Sequence, residues 1–303
     1  MKPPGFIYHR PETVEDALGV LADVGPDAKV LAGGQSLVPM MNMRLAAPSH
    51  LVDVNRLADL AYVRVGTAAD GGREVAVGAL ARHADVERDE AARAELPLLA
   101  QALRYVAHPT IRNRGTTVGS LVHADPSGEM TAVLALLGGS VELRTATASR
   151  TVPAGEFFVG PLESCARAGE LATRAVFPVP AGRTGSSWHE VARRNGDYAV
   201  CGVGALVTLD DVGRVAGARV AYISVGPVPE VLSVADVVEQ APVDAADWVA
   251  AGRYAADRLE PESDIHATGE YRRHLAGVLT ARALREASAR AARLEETILE
   301  GSR

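Results

Sequence analysis

The sequence predicts an α+β protein, and three features carry that prediction. Near the start, a helical stripe leads into a short apolar strand and a Gly-Gly turn, the opening of a βαβ-like unit. Further on, two strand-like stretches flank Asp70-Gly71-Gly72, a hairpin signal. Beyond Pro178-Val179-Pro180-Ala181-Gly182, three strand-like stretches precede three helical ones, the segregated order of an α+β unit. The main domain boundary is placed in that Pro/Gly segment. It divides the chain into 1–178, with subdomains of about 1–55 and 56–178, and 183–303, a three-stranded sheet with helices.

Taken in order, Thr13 caps a helix opening at Val14, with Asp16 near the position of a capping-box acid. Val14, Ala17, Leu18, Leu21 and Ala22 form one apolar stripe, and Gly25-Pro26 ends it. Lys29 to Leu31 and Leu51 to Val54 read as strands on either side of Gly33-Gly34. Tyr62 to Val65 and Glu74 to Val77 are the hairpin strands. Helices follow near Ala81 and over Pro97 to Ala107, then an irregular stretch, His108 to Gly115. Gly128 to Leu137 is a buried helix, and Val141 to Arg144 and Leu171 to Phe177 are strands. In the second part the strands are Ser187 to Arg193, Val200 to Leu209 and Val215 to Val225, with Asn195-Gly196 as a two-residue hairpin turn. The helices are Ser233 to Glu239, Asp244 to Leu259 and Tyr271 to Glu296.

Composition bounds the function. At 303 residues and 48% hydrophobic, the chain is long enough for two or three domains with real cores. A net charge of −7 argues against a general nucleic-acid binder, which carries a basic footprint. Cys165 and Cys201 are the only cysteines, too few for an all-Cys iron–sulfur cluster or a CxxC zinc site. A reduced cytosolic pair is favoured over a disulfide. No apolar h-region follows Met1-Lys2-Pro3-Pro4-Gly5, and the apolar stretch around Thr131 to Leu137 is too short to span a bilayer. A cytoplasmic protein without a membrane span is the resulting expectation.

The chemistry-bearing features are two small-residue turns about eighty positions apart. One is Ala32-Gly33-Gly34-Gln35-Ser36, running into Leu37; the other is Thr116-Thr117-Val118-Gly119-Ser120, followed by Asp125-Pro126. Such turns let several backbone N–H groups point at one acceptor, an anion-binding nest that needs no lysine. Brought together, they suit the two phosphates of a dinucleotide. Taken singly, paired glycines mark a turn with positive φ, and most such turns bind nothing. The pattern is not G-x-G-x-x-G, so a nicotinamide fold is not indicated. His83, His108 and His123 are scattered without an i, i+4 partner, no G-x-S-x-G elbow is present, and Cys201 lies in an apolar strand. The sequence therefore nominates no catalytic acid–base residue and no metal ligands.

Ala32 to Pro39, with Arg44 and Leu51-Val52-Asp53-Val54, resembles the first FAD motif of the flavin-binding medium subunits of the molybdenum hydroxylases. Ile111 to Thr116, then Gly119 to Pro126, resembles their second motif. Phe157-Phe158-Val159-Gly160, Gly169-Glu170-Leu171, Arg193 to Ala199 and Glu270-Tyr271-Arg272 match later family blocks in order. The resemblance implies an N-terminal FAD-binding domain of the vanillyl-alcohol-oxidase (PCMH) type and a smaller C-terminal α+β domain. It implies pyrophosphate contacts from Ala32, Gly33, Gly34, Gln35, Ser36 and Leu37, and from Thr116, Thr117, Val118, Gly119 and Ser120, beside Asp125. It also implies a ribose contact from Glu129 and flavin neighbours in Leu171 and Tyr198. On the residues alone, Glu129 reads as a helix first-turn acid, Leu171 as strand core and Tyr198 as packing after a turn.

One position departs from the pattern. The family's second motif has two adjacent glycines, and the first is Val118 here. A β-branched residue disfavours positive φ and blocks close backbone approach. Either the turn keeps ordinary φ with Val118 pointing away, or the pyrophosphate site is altered. On this reading, Val118→Gly is tolerated and tightens binding.

The implied function is a FAD-carrying electron-transfer subunit. A large partner holds molybdenum–pterin, a small partner holds two [2Fe–2S] clusters, and a dimer of heterotrimers is the expected assembly. Two alternatives stay open: a stand-alone FAD-dependent oxidoreductase acting on a small organic substrate, and a non-catalytic assembly scaffold.

Overall fold

The structure, a computed structural model, describes residues 2–301, with side chains described to residue 294. It opens with a parallel three-stranded sheet. Strand β1 (Ile7–His9) leads to helix α1 (Val14–Val24), β2 (Ala28–Leu31), α2 (Leu37–Asn42) and β3 (His50–Asp53). The strand order is β1-β3-β2. Thr13 caps α1 by accepting from the Asp16 amide at 3.0 Å, and Gly25 closes it at φ 58°. Ala17, Leu18 and Leu21 bury the stripe, whereas Ala22 stays exposed.

The second sheet is antiparallel, in the order β4-β5-β10-β6-β7. Its first hairpin is β4 (Val63–Thr67) with β5 (Arg73–Gly78). Six helices then intervene: α3 (His83–Arg88), α4 (Glu90–Glu95), α5 (Pro97–Leu103), α6 (Pro109–Arg112), α7 (Thr117–His123) and α8 (Glu129–Leu137). The chain returns through β6 (Ser140–Arg144), β7 (Ser149–Pro153), the single turn α9 (Ala154–Phe157), a small ribbon of β8 (Phe158–Gly160) and β9 (Glu163–Ser164), and β10 (Leu171–Pro178). Strand β10 alternates buried and half-buried residues without a break, so one face meets the core. The α8 segment buries seven of its nine residues, which is why it reads as apolar all round.

The last sheet holds β11 (Arg183–Ala192), β12 (Ala199–Leu209), β13 (Val215–Ile223) and β14 (Glu230–Ser233), in sequence order. The three anticipated strands are there, and the short β14 adds a fourth. Helices α10 (Ala235–Val238), α11 (Trp248–Ala256) and α12 (Gly269–Gly301) follow. This sheet is covered on both sides. Val203, Ala205 and Val207 share one core with Leu275, Leu279 and Leu284 of α12, while Leu206, Ala221 and Ile223 join the core of Leu134, Leu136 and Phe177. Burial on both faces explains why β12 reads as a continuous apolar run. Cys165 and Cys201 are both free thiols.

Candidate functional site

The first segment leaves the end of β2 and turns sharply. Gly34 sits at φ +74°, in the left-handed region glycine tolerates. The Gln35 side chain turns back, donating from Nε2 to the Gly33 carbonyl at 3.2 Å. Among the described hydrogen bonds, none of the amides of Gly33, Gly34, Gln35, Ser36 and Leu37 donates to a protein acceptor. Ser36 precedes α2 without capping it by a side-chain bond. Five consecutive donors are thus left for another acceptor.

The second segment is not a turn. Thr116 is the N-cap of α7, its Oγ1 accepting from the Gly119 amide at 3.2 Å while the Ser120 amide donates to its carbonyl at 3.0 Å. Val118 lies inside the helix, 2% exposed in the main core, and has no positive φ. Of the two alternatives for this position, the structure takes the first: ordinary φ, side chain turned away. The segment is fastened from behind. The Thr117 amide donates to the Ala81 carbonyl at 3.3 Å, and the His83 amide donates to the Gly115 carbonyl at 2.9 Å. His83 Nδ1 lies 3.1 Å from Thr117 Oγ1. Burial, with the nearby Arg112 cation, presses this imidazole down to about 4, so it is neutral at physiological pH.

The two segments meet backbone to backbone. A Cβ built on Gly33 would strike the carbonyl oxygen of Arg114 and come within 2.7 Å of the Gly115 Cα. Only glycine permits this approach. The arrangement offers a row of free amides on one side and a capped helix start on the other, a surface complementary to an anion.

Of the other nominated residues, Asp125, Glu129 and Tyr198 lie close enough to act on one another, whereas Leu171 belongs to the core. Asp125 holds its own loop, accepting from the Ser127 amide at 2.8 Å. That loop is tied to the last sheet, because Ser224 donates through its amide to the Pro126 carbonyl at 2.9 Å and through Oγ to Ser127 Oγ at 2.8 Å. His123 Nε2 stands 3.9 Å from Asp125 Oδ2. Glu129 opens α8 half-buried. Burial, and then the neighbouring Glu190 carboxylate, hold its carboxyl well above the usual range. Glu190, on β11, is pushed up to about 7 by burial, although the Trp188 indole donates to it at 3.2 Å. Tyr198 is 72% exposed, in a loop of six residues rather than the two-residue turn anticipated at Asn195-Gly196. Leu171 is 3% exposed, packed in the main core and paired with Arg144 of β6.

Residues 4–180 match the family model described as the FAD binding domain in molybdopterin dehydrogenase, and residues 186–287 match that of the CO dehydrogenase flavoprotein C-terminal domain. The chain belongs to the flavin-binding medium-subunit family of the molybdenum hydroxylases. It is 37% identical to the 6-hydroxypseudooxynicotine dehydrogenase complex subunit alpha of Paenarthrobacter nicotinovorans, over 98% of this chain and 99% of that one. It is also 37% identical to the nicotine 6-hydroxylase medium subunit of the same organism, over 96% of this chain and all of the relative. Among solved structures, a chain of carbon monoxide dehydrogenase from Hydrogenophaga pseudoflava superimposes with a TM-score of 0.87 at 33% identity, over 96% of this chain and 99% of that one.

Two residues at the junction, Asn55 and Arg82, were passed over in the sequence, and a third, His83, stood there only as one of three scattered histidines. Asn55 had a usable signal, lying two residues after Asp53 in an Asx-type pairing, amide to Asp53 Oδ1 at 2.9 Å. Arg82 and His83 had none, because their partners lie about thirty residues away in sequence.

Proposed function

We propose that this chain carries FAD and passes electrons from the [2Fe–2S] clusters of a partner subunit to an external acceptor, as one subunit of a molybdenum hydroxylase. The observation that carries the reading is the contact of Gly33 with Arg114 and Gly115, beside five amides without protein acceptors. That cradle fits a pyrophosphate: it is glycine-lined, rich in donors, and adjoined by Arg82 and Arg114, which form no ion pair with a carboxylate among the described residues.

Ala32 to Leu37 and the start of α7 at Thr116 to Ser120, except Val118, whose side chain is turned into the core, hold the diphosphate, and Asp125 and Glu129 address the adenosine end. Leu171 lines the flavin end through its backbone, and Tyr198 through its exposed ring. When bound, the flavin accepts and releases electrons one or two at a time. The protein's task is to fix that group, to exclude water from one side and to tune its surroundings. No acid–base residue of this chain is required.

The relatives are named as subunits of larger complexes, which supports partners: a large molybdenum–pterin chain and a small iron–sulfur chain, assembled as a dimer of heterotrimers. The same names disfavour the stand-alone oxidoreductase. Division into a FAD-binding domain over 1–178 and a C-terminal domain over 183–303 belongs to this reading, as does a cytoplasmic location. No helix among the described residues is long and apolar enough to cross a membrane.

Denaturing the purified chain releases FAD and not FMN, read by chromatography of the supernatant. Mixed anaerobically with N-heterocycles, aldehydes or carbon monoxide, the isolated chain keeps its flavin absorbance, whereas co-expression with both partners allows bleaching by the right substrate. A colourless chain that takes up no added FAD overturns the proposal; rapid bleaching of the isolated chain restores the stand-alone reading.

A further inference from the structure

We propose that Arg82 is a positioning residue whose guanidinium sets the spacing of the two phosphate-facing segments and thereby the affinity for the pyrophosphate of FAD. The inference rests on the FAD reading above and adds a residue outside both motifs.

The geometry is a relay through one side chain. Arg82 NH1 donates to the Arg114 carbonyl at 2.6 Å, the same oxygen that a Cβ on Gly33 would strike. Arg82 NH2 donates to Asn55 Oδ1 at 2.7 Å. Asn55 Nδ2 in turn donates to the Ala32 carbonyl at 2.8 Å and to Asp53 Oδ1 at 2.7 Å. Asp53 Oδ2 accepts from the Tyr8 hydroxyl at 2.5 Å. One planar fork therefore grips the second segment directly and the first through Asn55. It joins the segment that follows β2 to the segment between α6 and α7 at the point where their backbones touch.

Arg82 is itself held. Its backbone forms a β-bridge with Thr116, and its amide donates to Asp85 Oδ2 at 3.2 Å at the start of α3. Both acceptors of its guanidinium are neutral, and no carboxylate lies within ion-pair distance among the described residues. The cation is half-buried beside a second cation, Arg114. Asp85 and Asp53 act on this cation from a distance without pairing with it, and a bound diphosphate supplies an anion closer at hand. Lysine cannot replace the fork, because an ammonium is a point donor that does not span two acceptors in fixed directions.

The test is titration of the full chain, stripped of flavin, with FAD, ADP and AMP, together with thermal unfolding of each apo variant. Arg82→Lys and Arg82→Gln should bind FAD and ADP about 10- to 100-fold more weakly, the range that loss of a charge-assisted hydrogen bond spans. AMP, which lacks the diphosphate, should change little. Asn55→Ala should reproduce the loss, and the Asn55→Ala/Arg82→Gln double variant should be no weaker than the worse single variant, because both lie on one relay. If Arg82→Gln does not fold, Arg82→Lys and Asn55→Ala decide. Unchanged FAD and ADP affinity in these variants overturns the positioning role, as do equal losses for ADP and AMP or additive losses in the double variant. Failure of the wild-type chain to bind FAD overturns the parent reading instead.

Discussion

Gly33 and Arg114 stand backbone against backbone: the Arg114 carbonyl oxygen occupies the space that a side chain on Gly33 would need. The contact joins two segments about eighty residues apart, and it separates the roles of the paired glycines. Gly33 is required for space. Gly34 is required for its φ of +74°, while the atoms facing its absent Cβ are ends of side chains, Leu31 Cδ1 at 3.1 Å and Val38 Cγ2 at 3.3 Å.

Gly33→Ala should therefore be the more damaging of two alanine substitutions. It forces the Arg114–Gly115 backbone away, at a cost of about 2–4 kcal/mol, and should leave the protein without flavin. Gly34→Ala should cost about 1–2 kcal/mol of left-handed strain and keep part of its flavin. Denaturant unfolding and the flavin-to-protein absorbance ratio measure both. The opposite ranking would count against the contact.

Val118→Gly should lower stability and leave FAD affinity no tighter. The side chain is buried inside a helix, so the change removes core packing and helix propensity together, about 2–4 kcal/mol. This reverses the expectation drawn from the family pattern. Unfolding midpoints and FAD titration test it, and tighter binding at undiminished stability would return Val118 to the pyrophosphate site.

Gly119→Ala should behave like Thr116→Ala. A Cβ on Gly119 would come within 2.5 Å of Thr116 Oγ1, displacing the hydroxyl that caps α7. Each change should cost about 1 kcal/mol, the usual worth of such a cap. The double variant should be less than additive, since both remove the same bond.

Two buried groups should make stability depend on pH with opposite signs between about pH 4 and 7. Glu190 is raised from 4.5 to about 7, so the folded chain holds a proton that the unfolded chain releases, and stability falls as pH rises through that window. Glu190→Gln should be more stable than wild type by about 1–2 kcal/mol at pH 8 and nearly equal at pH 4, with the Trp188 indole still hydrogen-bonded. His83 acts with the other sign: its imidazole is lowered from 6.5 to about 4, so stability is lost as pH falls through that range. Thermal melts of the two proteins from pH 4 to 8 resolve the Glu190 contribution; parallel curves would remove it.

Much of the architecture was determined by the sequence itself, where the signal is local. Thr13 and Gly25 bound α1 because a cap and a left-handed stop act within one turn of the helix. Asp70-Gly71-Gly72 joins β4 to β5 because turn chemistry selects the hairpin. The glycine-rich segment at 32–36 announced a backbone approach, though not what would approach it. Tertiary structure decided the rest. Strand β1 has three residues and exists through pairing with β3, over forty positions away. Thr116 to Ser120 becomes a helix start because Val118 finds a core on one side and Ala81 and His83 hold the backbone from the other. Tyr198 sits in a longer loop because the last pair of the β11–β12 ladder is Ala192 with Ala199, which leaves six residues unpaired around Asn195-Gly196. Arg82 carries no motif at all, and its acceptors on Asn55 and Arg114 reach one guanidinium only once the two sheets have packed together. Local preference acts over a few residues, whereas the cradle is made of contacts that span the chain.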